Sequence, residues 1–320
     1  MKSNEQWIVA VCVLFLMCLT GNQALGFELR GWGGDYANQV TAIPAGSDFT
    51  AMAAGDEHGV ALRADGTVVA WGQDFYGQNV VPPTLGTCIA VGAGGDLSLA
   101  IEEAGTIVAW GDDYGVPAGT YTAVDAGEFF SVALATDGSI VAWGNDTYGQ
   151  VTNVPAGTDF LQVVAGDRHA VALRSNGSVV SWGNVNGTIG QPTSGVFTQV
   201  SAGHDYCLAL AADGSIVFWG TDTWDYGVDE VPAGTDYVEI SAGYQHGLAR
   251  KTDGSVVGWG AGTTASGHPH WGQAMPPTGN DYQAISGGLY WSLSMTGTDD
   301  LLFEDGFESG NTSAWSESSP

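Results

Sequence analysis

Six histidines, the adjacent carboxylates Glu102 and Glu103 and four cysteines are the residues whose types could support chemistry. His268 and His270, taken with His204 or a nearby Asp, offer ligands to a transition metal, but their spacing matches no established metal-site pattern. Glu102 and Glu103 are neighbours beside an expected turn, where two carboxylates serve as a solvated turn rather than as an acid and a base. No Gly-rich phosphate loop, Gly-x-Ser-x-Gly elbow, His-Glu-x-x-His pair or EF-hand pattern occurs. No catalytic residue, metal site or cofactor is therefore expected. His58, His169 and His246 recur in equivalent contexts where other copies carry Leu97, Phe130, Tyr206 and Trp291, so they read as packing residues. Asn-x-Ser/Thr occurs at Asn145, Asn176, Asn186 and Asn311 and matters only in a host that glycosylates exported proteins.

The elements that position these residues are repeats. A Trp-Gly pair begins at Trp32, Trp71, Trp110, Trp143, Trp182, Trp219 and Trp259, at spacings of 39, 39, 33, 39, 37 and 40 residues. An Ala-Gly or Gly-Gly pair begins at Ala54, Ala93, Ala126, Ala165, Ala202, Ala242 and Gly287. Between the two marks lie short β-prone runs such as Val60–Leu62 and Thr67–Trp71, separated by Asp-Gly or Asn-Gly, the dipeptides that supply the positive φ of a tight hairpin. Ala104-Gly105 and Thr296-Gly297 depart from that pattern, so their turns are expected to differ. The runs are apolar throughout rather than alternating, as in strands covered on both faces. Units of about 40 residues with three or four strands predict a β-propeller. The first mark in the chain is Trp-Gly and the last is Gly-Gly, so each terminal unit lacks half its content. The two halves are expected to complete one blade, with Phe27–Trp32 pairing with Leu289–Met295, which closes seven blades and leaves no open edge.

Strand parity then locates the variable loops. If the strand ending in Ala-Gly runs up, the next runs down to the hairpin and the third runs up to Trp-Gly, so the loops after both marks emerge on one face. Those loops carry Asp56, Glu57, Asp96, Phe129, Arg168, Asp205, Tyr244 and Tyr290 after Ala-Gly, and Asp, Tyr and Trp residues, including Trp224, after Trp-Gly. The longest insertion, Ala261–Trp271, adds Trp271. The face is thus acidic and aromatic. Aromatic side chains are favoured anchors of protein interfaces, and negative charge steers a basic partner. The recurring Asp-x-Tyr-Gly of the second loop set has an equally good local role, with Asp bonding its own backbone and Tyr capping the blade. The ten candidates for partner contact are Phe129, Arg168, Trp224, Tyr244, Tyr290, Trp271, Asp56, Glu57, Asp96 and Asp205.

The 320 residues hold 35 Asp and Glu against 7 Lys and Arg, a formal charge of −28. Such a chain repels phosphate backbones, which excludes unassisted nucleic-acid binding. An apolar fraction of 44% with 12 Trp excludes disorder, and 49 Gly exclude a coiled coil. Trp7–Leu19 is uncharged, shorter than the ~20 residues of a membrane span, preceded by Lys2 and followed by small residues up to Gly26. This predicts a signal peptide at residues 1–26 and a secreted, periplasmic or cell-envelope protein with no membrane span once processed. Cys12 and Cys18 leave with that peptide. Cys88 and Cys207 alone are no disulfide framework, so the core must hold the fold. The repeats occupy residues 27–300, and the tail, residues 301–320, breaks the pattern.

The string Ala-Gly-x-x-His-x-x-Ala-Leu-x-x-Asp-Gly-x-Val-x-x-Trp-Gly, read at Ala54–Gly72, resembles the regulator-of-chromosome-condensation repeat. The continuation at Tyr148–Gln150 and Val154–Asp159 resembles the variant of secreted bacterial members. The likeness covers about residues 27–298 and implies a seven-bladed β-propeller. It also implies functions as different as nuclear nucleotide exchange, ligase-associated modules and secreted inhibition of β-lactamases, among which the fold does not choose. The apolar N-terminus and the negative charge argue against the nuclear role. The tail resembles a C-terminal segment of assorted exported bacterial proteins. The sequence therefore predicts an exported, monomeric, non-enzymatic platform for a basic protein partner, with an enzyme inhibitor or a surface interaction module as its forms. The alternative is a propeller that binds a carbohydrate or a divalent cation on the same ring.

Overall fold

The computed structural model describes residues 26–263 and 271–297. The expected signal peptide up to Leu25, residues 298–300 of the repeat region, the tail at residues 301–320, and His268 and His270 lie outside them. Strands are numbered β1 to β21 in chain order, with one short helix, α1 (Val185–Thr188), between β13 (Val179–Gly183) and β14 (Phe197–Ala202). The described residues form seven sheets of three antiparallel strands. Inner strands are β2 (Phe49–Ala54), β5 (Cys88–Gly94), β8 (Tyr121–Ala126), β11 (Phe160–Ala165), β14 (Phe197–Ala202), β17 (Tyr237–Ala242) and β20 (Tyr282–Gly287). Each is followed by a middle strand, the first being β3 (His58–Arg63) and the last β21 (Trp291–Thr296). An outer strand that ends in Trp-Gly completes each blade, as in β4 (Val68–Gly72) and β10 (Ile140–Gly144).

The seventh blade is built from both ends of the described chain. β1 (Glu28–Gly33) takes the outer place beside β21, in register from Glu28 opposite Thr296 to Gly33 opposite Trp291. The pairing anticipated from the two half units is present. Because β1 fills that place, Thr296-Gly297 does not lead into the outer strand of its own blade. At Ala104-Gly105 the turn does not differ: Gly105 has φ +84°, as Gly66 and Gly138 have +83° at Asp-Gly turns. A glycine there is what this backbone requires, whatever precedes it.

Each inner strand shifts register against its middle strand near its start, as between Phe49 and Ala51. Such bulges increase the local twist that a blade needs. Apolar cores lie between blades. One joins Phe130, Val132 and Leu134 of the third blade to Phe160, Val163 and Trp182 of the fourth, and another joins Leu29, Leu293 and Met295 of the closing blade to Phe49, Ala61 and Trp71 of the first. Because every blade is sandwiched by two neighbours, its strands are apolar on both faces.

Side chains also bridge the inner strands. Gln162 donates to the Val200 carbonyl and accepts from the Val200 N–H, and Gln199 treats Ile240 in the same way. Ser201, Ser241 and Ser286 each accept a backbone N–H from the next inner strand, at Ala242, Gly287 and Ala54, and the Asp125 carboxylate does so for Ala165. These bonds satisfy edge groups that would otherwise face the central channel unpaired.

Candidate functional site

The loops after Ala-Gly and after Trp-Gly share one face, as parity requires. In all seven blades the N–H after Trp-Gly donates to a carbonyl in the loop after the inner strand. Examples are Gln73 to Glu57 at 2.9 Å, Asn145 to Phe129 at 2.8 Å and Gly34 to Tyr290 at 2.7 Å.

The loops after Trp-Gly fold mainly on themselves. The carboxylates of Asp35, Asp74, Asp146 and Asp222 accept backbone N–H bonds from Val40, Asn79, Val151 and Gly227, five residues on. Gln39, Gln78, Gln150 and Gln273 close the same turns by accepting the N–H of Ala37, Tyr76, Tyr148 and Trp271. The local role weighed for these Asp residues is the one the structure shows.

The position directly after each Ala-Gly forms an inner rim around the central channel, occupied in blade order by Asp56, Gly95, Glu128, Asp167, His204, Tyr244 and Leu289. Six backbone N–H···O contacts of 3.1–3.4 Å tie these residues to the next blade, among them His204 to Tyr244 and Leu289 to Asp56. At Gly95 a Cβ would lie 2.6 Å from the Glu128 carbonyl, and φ is +48°, so the position takes no side chain. The rim opens into a channel with a cavity of about 1030 Å³, walled by the small side chains of the inner strands.

Charge on the rim is concentrated in blades one to five. His204 lies 3.0 Å from an Asp167 oxygen and 3.2 Å from an Asp205 oxygen. Burial works against its charge, but the two carboxylates outweigh burial and raise its pKa to about 9. Asp205 is buried, and it also accepts from the Thr223 hydroxyl. Burial alone would raise its pKa, yet these contacts lower it to about 2. Asp167, held ionised by His204 and by Arg168 at 3.3 Å, faces Glu128. Burial and that neighbouring carboxylate push Glu128 up to about 8. Asp56 is pushed up to about 7 by burial and then by Asp96, Asp167 and Glu57.

The other half of the face is aromatic. Trp224 packs 4.6 Å from His204 and stacks on Tyr226 and Tyr244, and Tyr244 meets Tyr290 edge-on at 6.5 Å. Tyr290 meets Tyr36 at 6.4 Å, and Tyr36 meets Trp271 at 5.0 Å. This continuous arc runs across blades five, six and seven. Trp224 is 43% exposed and Tyr36 53%.

The sequence-derived candidates therefore divide. Trp224, Tyr244, Tyr290 and Trp271 lie in the arc. Asp56 lines the channel mouth. Glu57 and Asp96 accept from the side-chain amides of Gln73 and Gln78, and burial raises the pKa of both. Arg168 is tied to Asp167 and to Glu128 at 3.4 Å. Phe129, 43% exposed, stands beside the acidic half, and Asp205 is spent on His204 and Thr223. Glu128, Asp167, His204 and Tyr36 were not among the candidates for partner contact, His204 having been weighed only as a metal ligand. The signal that marks the first three is the position immediately after Ala-Gly, the one rim position that differs in every blade but two. His58, His169 and His246 are fully buried, which lowers their pKa values to about 4, 4 and 3, as packing residues should be. Among the described residues no group of three or more His, Cys, Asp or Glu is arranged to hold a metal ion. No helix there is long and apolar enough to cross a membrane.

The sequence pattern of the regulator of chromosome condensation (RCC1) repeat matches residues 42–78, 121–150, 160–187 and 237–263. The structure is similar to Prp20p from Saccharomyces cerevisiae, with 16% identity, a TM-score of 0.69, and coverage of 86% of this chain and 92% of that one. It is also similar to the ectodomain of the Arabidopsis thaliana receptor kinase ACR4, with 18% identity, a TM-score of 0.61, and coverage of 77% and 92%. For human WBSCR16 the identity is 14%, the TM-score 0.65 and the coverage 84% and 99%. At these identities the likeness establishes the fold. No curated protein matches the chain.

Proposed function

Because the chain is built of RCC1 repeats on a seven-bladed propeller, we propose that it is an exported, monomeric, non-enzymatic platform that binds a basic protein partner through the loop face. The observation that carries this reading is the aromatic arc from Tyr226 to Trp271, continuous across three blades and partly exposed beside an acidic rim. Exposed clusters of Trp and Tyr are the residues that dominate protein interfaces. Among similar propellers, Prp20p binds Gsp1p and histones, and yeast RCC1 (Prp20) is known in complex with Kap60. These are properties of that protein, and they support a binding role by analogy of fold. Export rests on the uncharged stretch Trp7–Leu19. Inhibition of an enzyme and attachment at a surface are two forms of the same activity.

The test is affinity capture from the host's secreted and envelope fraction on the immobilised chain, beside a Phe129→Ala/Trp224→Ala/Tyr290→Ala variant. A protein retained by the wild type and lost by the variant, at equal melting temperature, supports the platform. Equal retention by both removes it. The divalent-cation alternative finds no cluster of ligands among the described residues. The carbohydrate alternative predicts a rise in melting temperature with a glycan instead of a protein.

A further inference from the structure

We infer that the mouth of the central channel receives the cationic side chain of a lysine or arginine projecting from the protein partner, held between Asp56, Glu128 and Asp167 with its stem against Tyr244. This rests on the platform reading and specifies how the partner is held.

Three observations lead there. First, the four residues converge although they come from blades one, three, four and six. Asp56 feels the charge of Asp167, Glu128 feels both, and the Tyr244 hydroxyl feels all three. All four line the cavity of about 1030 Å³, which is wide enough to admit a side chain. Second, the charges there are not balanced within the molecule. His204 and Arg168 are both engaged by Asp167, with His204 also on Asp205 and Arg168 also on Glu128, while the Asp56 carboxylate makes no hydrogen bond or ion pair among the described residues. Third, Tyr244 borders these carboxylates and belongs to the aromatic arc, so one site offers anions for a charged head and ring faces for its methylene stem and cation.

The same arrangement sets a proton signature. Asp56 faces Asp96, Asp167, Glu57 and His204; Glu128 faces Asp167, Arg168 and Asp56. With pKa values near 7 and 8, both carboxyls are partly protonated at neutral pH. A cation entering between them favours the ionised forms, so binding releases protons, and affinity rises as pH passes from about 6 to about 8.

The test uses an acetylated pentalysine amide as probe, with pentaglutamine as the neutral control, titrated calorimetrically into the whole chain at low salt in two buffers of different ionisation enthalpy. An Asp56→Asn/Glu128→Gln variant is compared with Asp213→Asn/Asp253→Asn, which removes the same charge from hairpins at the opposite end of the propeller. The mouth variant is expected to weaken pentalysine binding about tenfold or more and to abolish proton release, whereas the opposite-end variant changes affinity less than about twofold. Equal weakening by both variants would show that attraction is a property of the −28 charge as a whole and would overturn the site, as would wild-type binding without proton release. Partner capture separates the two readings. If the aromatic triple variant loses the captured protein while Asp56→Asn/Glu128→Gln keeps it, the platform stands and the cation site falls. If the wild type captures nothing that the triple variant loses, the platform itself fails.

Discussion

Asp125 stands on an inner strand at the place where three other blades carry Ser201, Ser241 and Ser286, and it performs the same task of accepting the next blade's N–H. A serine does this without charge. Burial in the channel wall pushes the Asp125 carboxyl up to about 7, against roughly 4 in an unfolded chain. The folded form therefore holds a proton that the unfolded form releases. This penalty is absent below about pH 4, grows as pH rises to 7, and is constant above. Asp125→Ser keeps the acceptor and removes the penalty. The variant should match the wild type near pH 4 and exceed it by about 4 kcal/mol at pH 8, a figure set by the linkage between pKa and stability. Urea unfolding at the two pH values checks this, and an equal difference at both would show that the substitution acts through packing instead. At this scale the sequence was only partly legible. The local role of Asp74 and Asp146 could be weighed from Asp-x-Tyr-Gly, because the bond spans five residues, and Asp35 and Asp222 make the same bond without that string. The grouping of Glu128, Asp167 and His204 could not, because their meeting depends on the rotation between successive blades.

A loop in this propeller serves the blade after its own. The segment following each Trp-Gly supplies a carbonyl to the next indole: Gln39 to Trp71, Gln78 to Trp110, Gln150 to Trp182, Val228 to Trp259 and, across the closure, Gln273 to Trp32. Gln78 and Gln273 also accept from Ser98 and Ser292. The exceptions follow from length and type. The unit between Trp110 and Trp143 is 33 residues rather than 39 and lacks the Gln, and the segment before Trp219 is replaced by α1. The indole N–H of Trp143 and of Trp219 and the hydroxyl of Ser131 are accordingly buried without a partner. Trp71→Phe breaks a buried bond and strands the Gln39 carbonyl, whereas Trp143→Phe removes a donor that had no acceptor. The first should cost about 1–2 kcal/mol more than the second, the usual difference between losing a made and an unmade hydrogen bond. Denaturant midpoints of the two variants decide it, and equal losses would mean that the indole rings matter only as volume. The seven Trp-Gly marks made the blades legible from sequence. Their irregular spacings, 33 and 37 among values near 39, fall at the two units where the pattern fails, a coincidence that only the structure explains.

The molecule as a whole depends on a seam between residues far apart in the chain. β1 contributes buried Leu29 and Trp32, with Phe27 just before it bridging to Phe49 of the first blade. Burying three such side chains is worth about 2–3 kcal/mol each, or roughly 6–9 kcal/mol together. A domain's whole stability is only about 5–15 kcal/mol. Loss of this one strand should therefore remove most of the margin and expose the edge of β21, along with Met295 and Leu293 on its buried face, a template for pairing with other chains. A chain beginning at Gly34 is expected to melt far below the intact protein or to associate. A synthetic peptide spanning Phe27–Asp35 should restore a monomeric, cooperatively melting propeller by adding the missing strand in trans. Circular dichroism melting with and without the peptide, together with the hydrodynamic size, gives the answer. An unchanged melting temperature after truncation would mean that the ring is held by its inter-blade cores alone. The inner-strand bridges at Gln162, Gln199, Ser201, Ser241 and Ser286 would then carry the closure that β1 is assigned here.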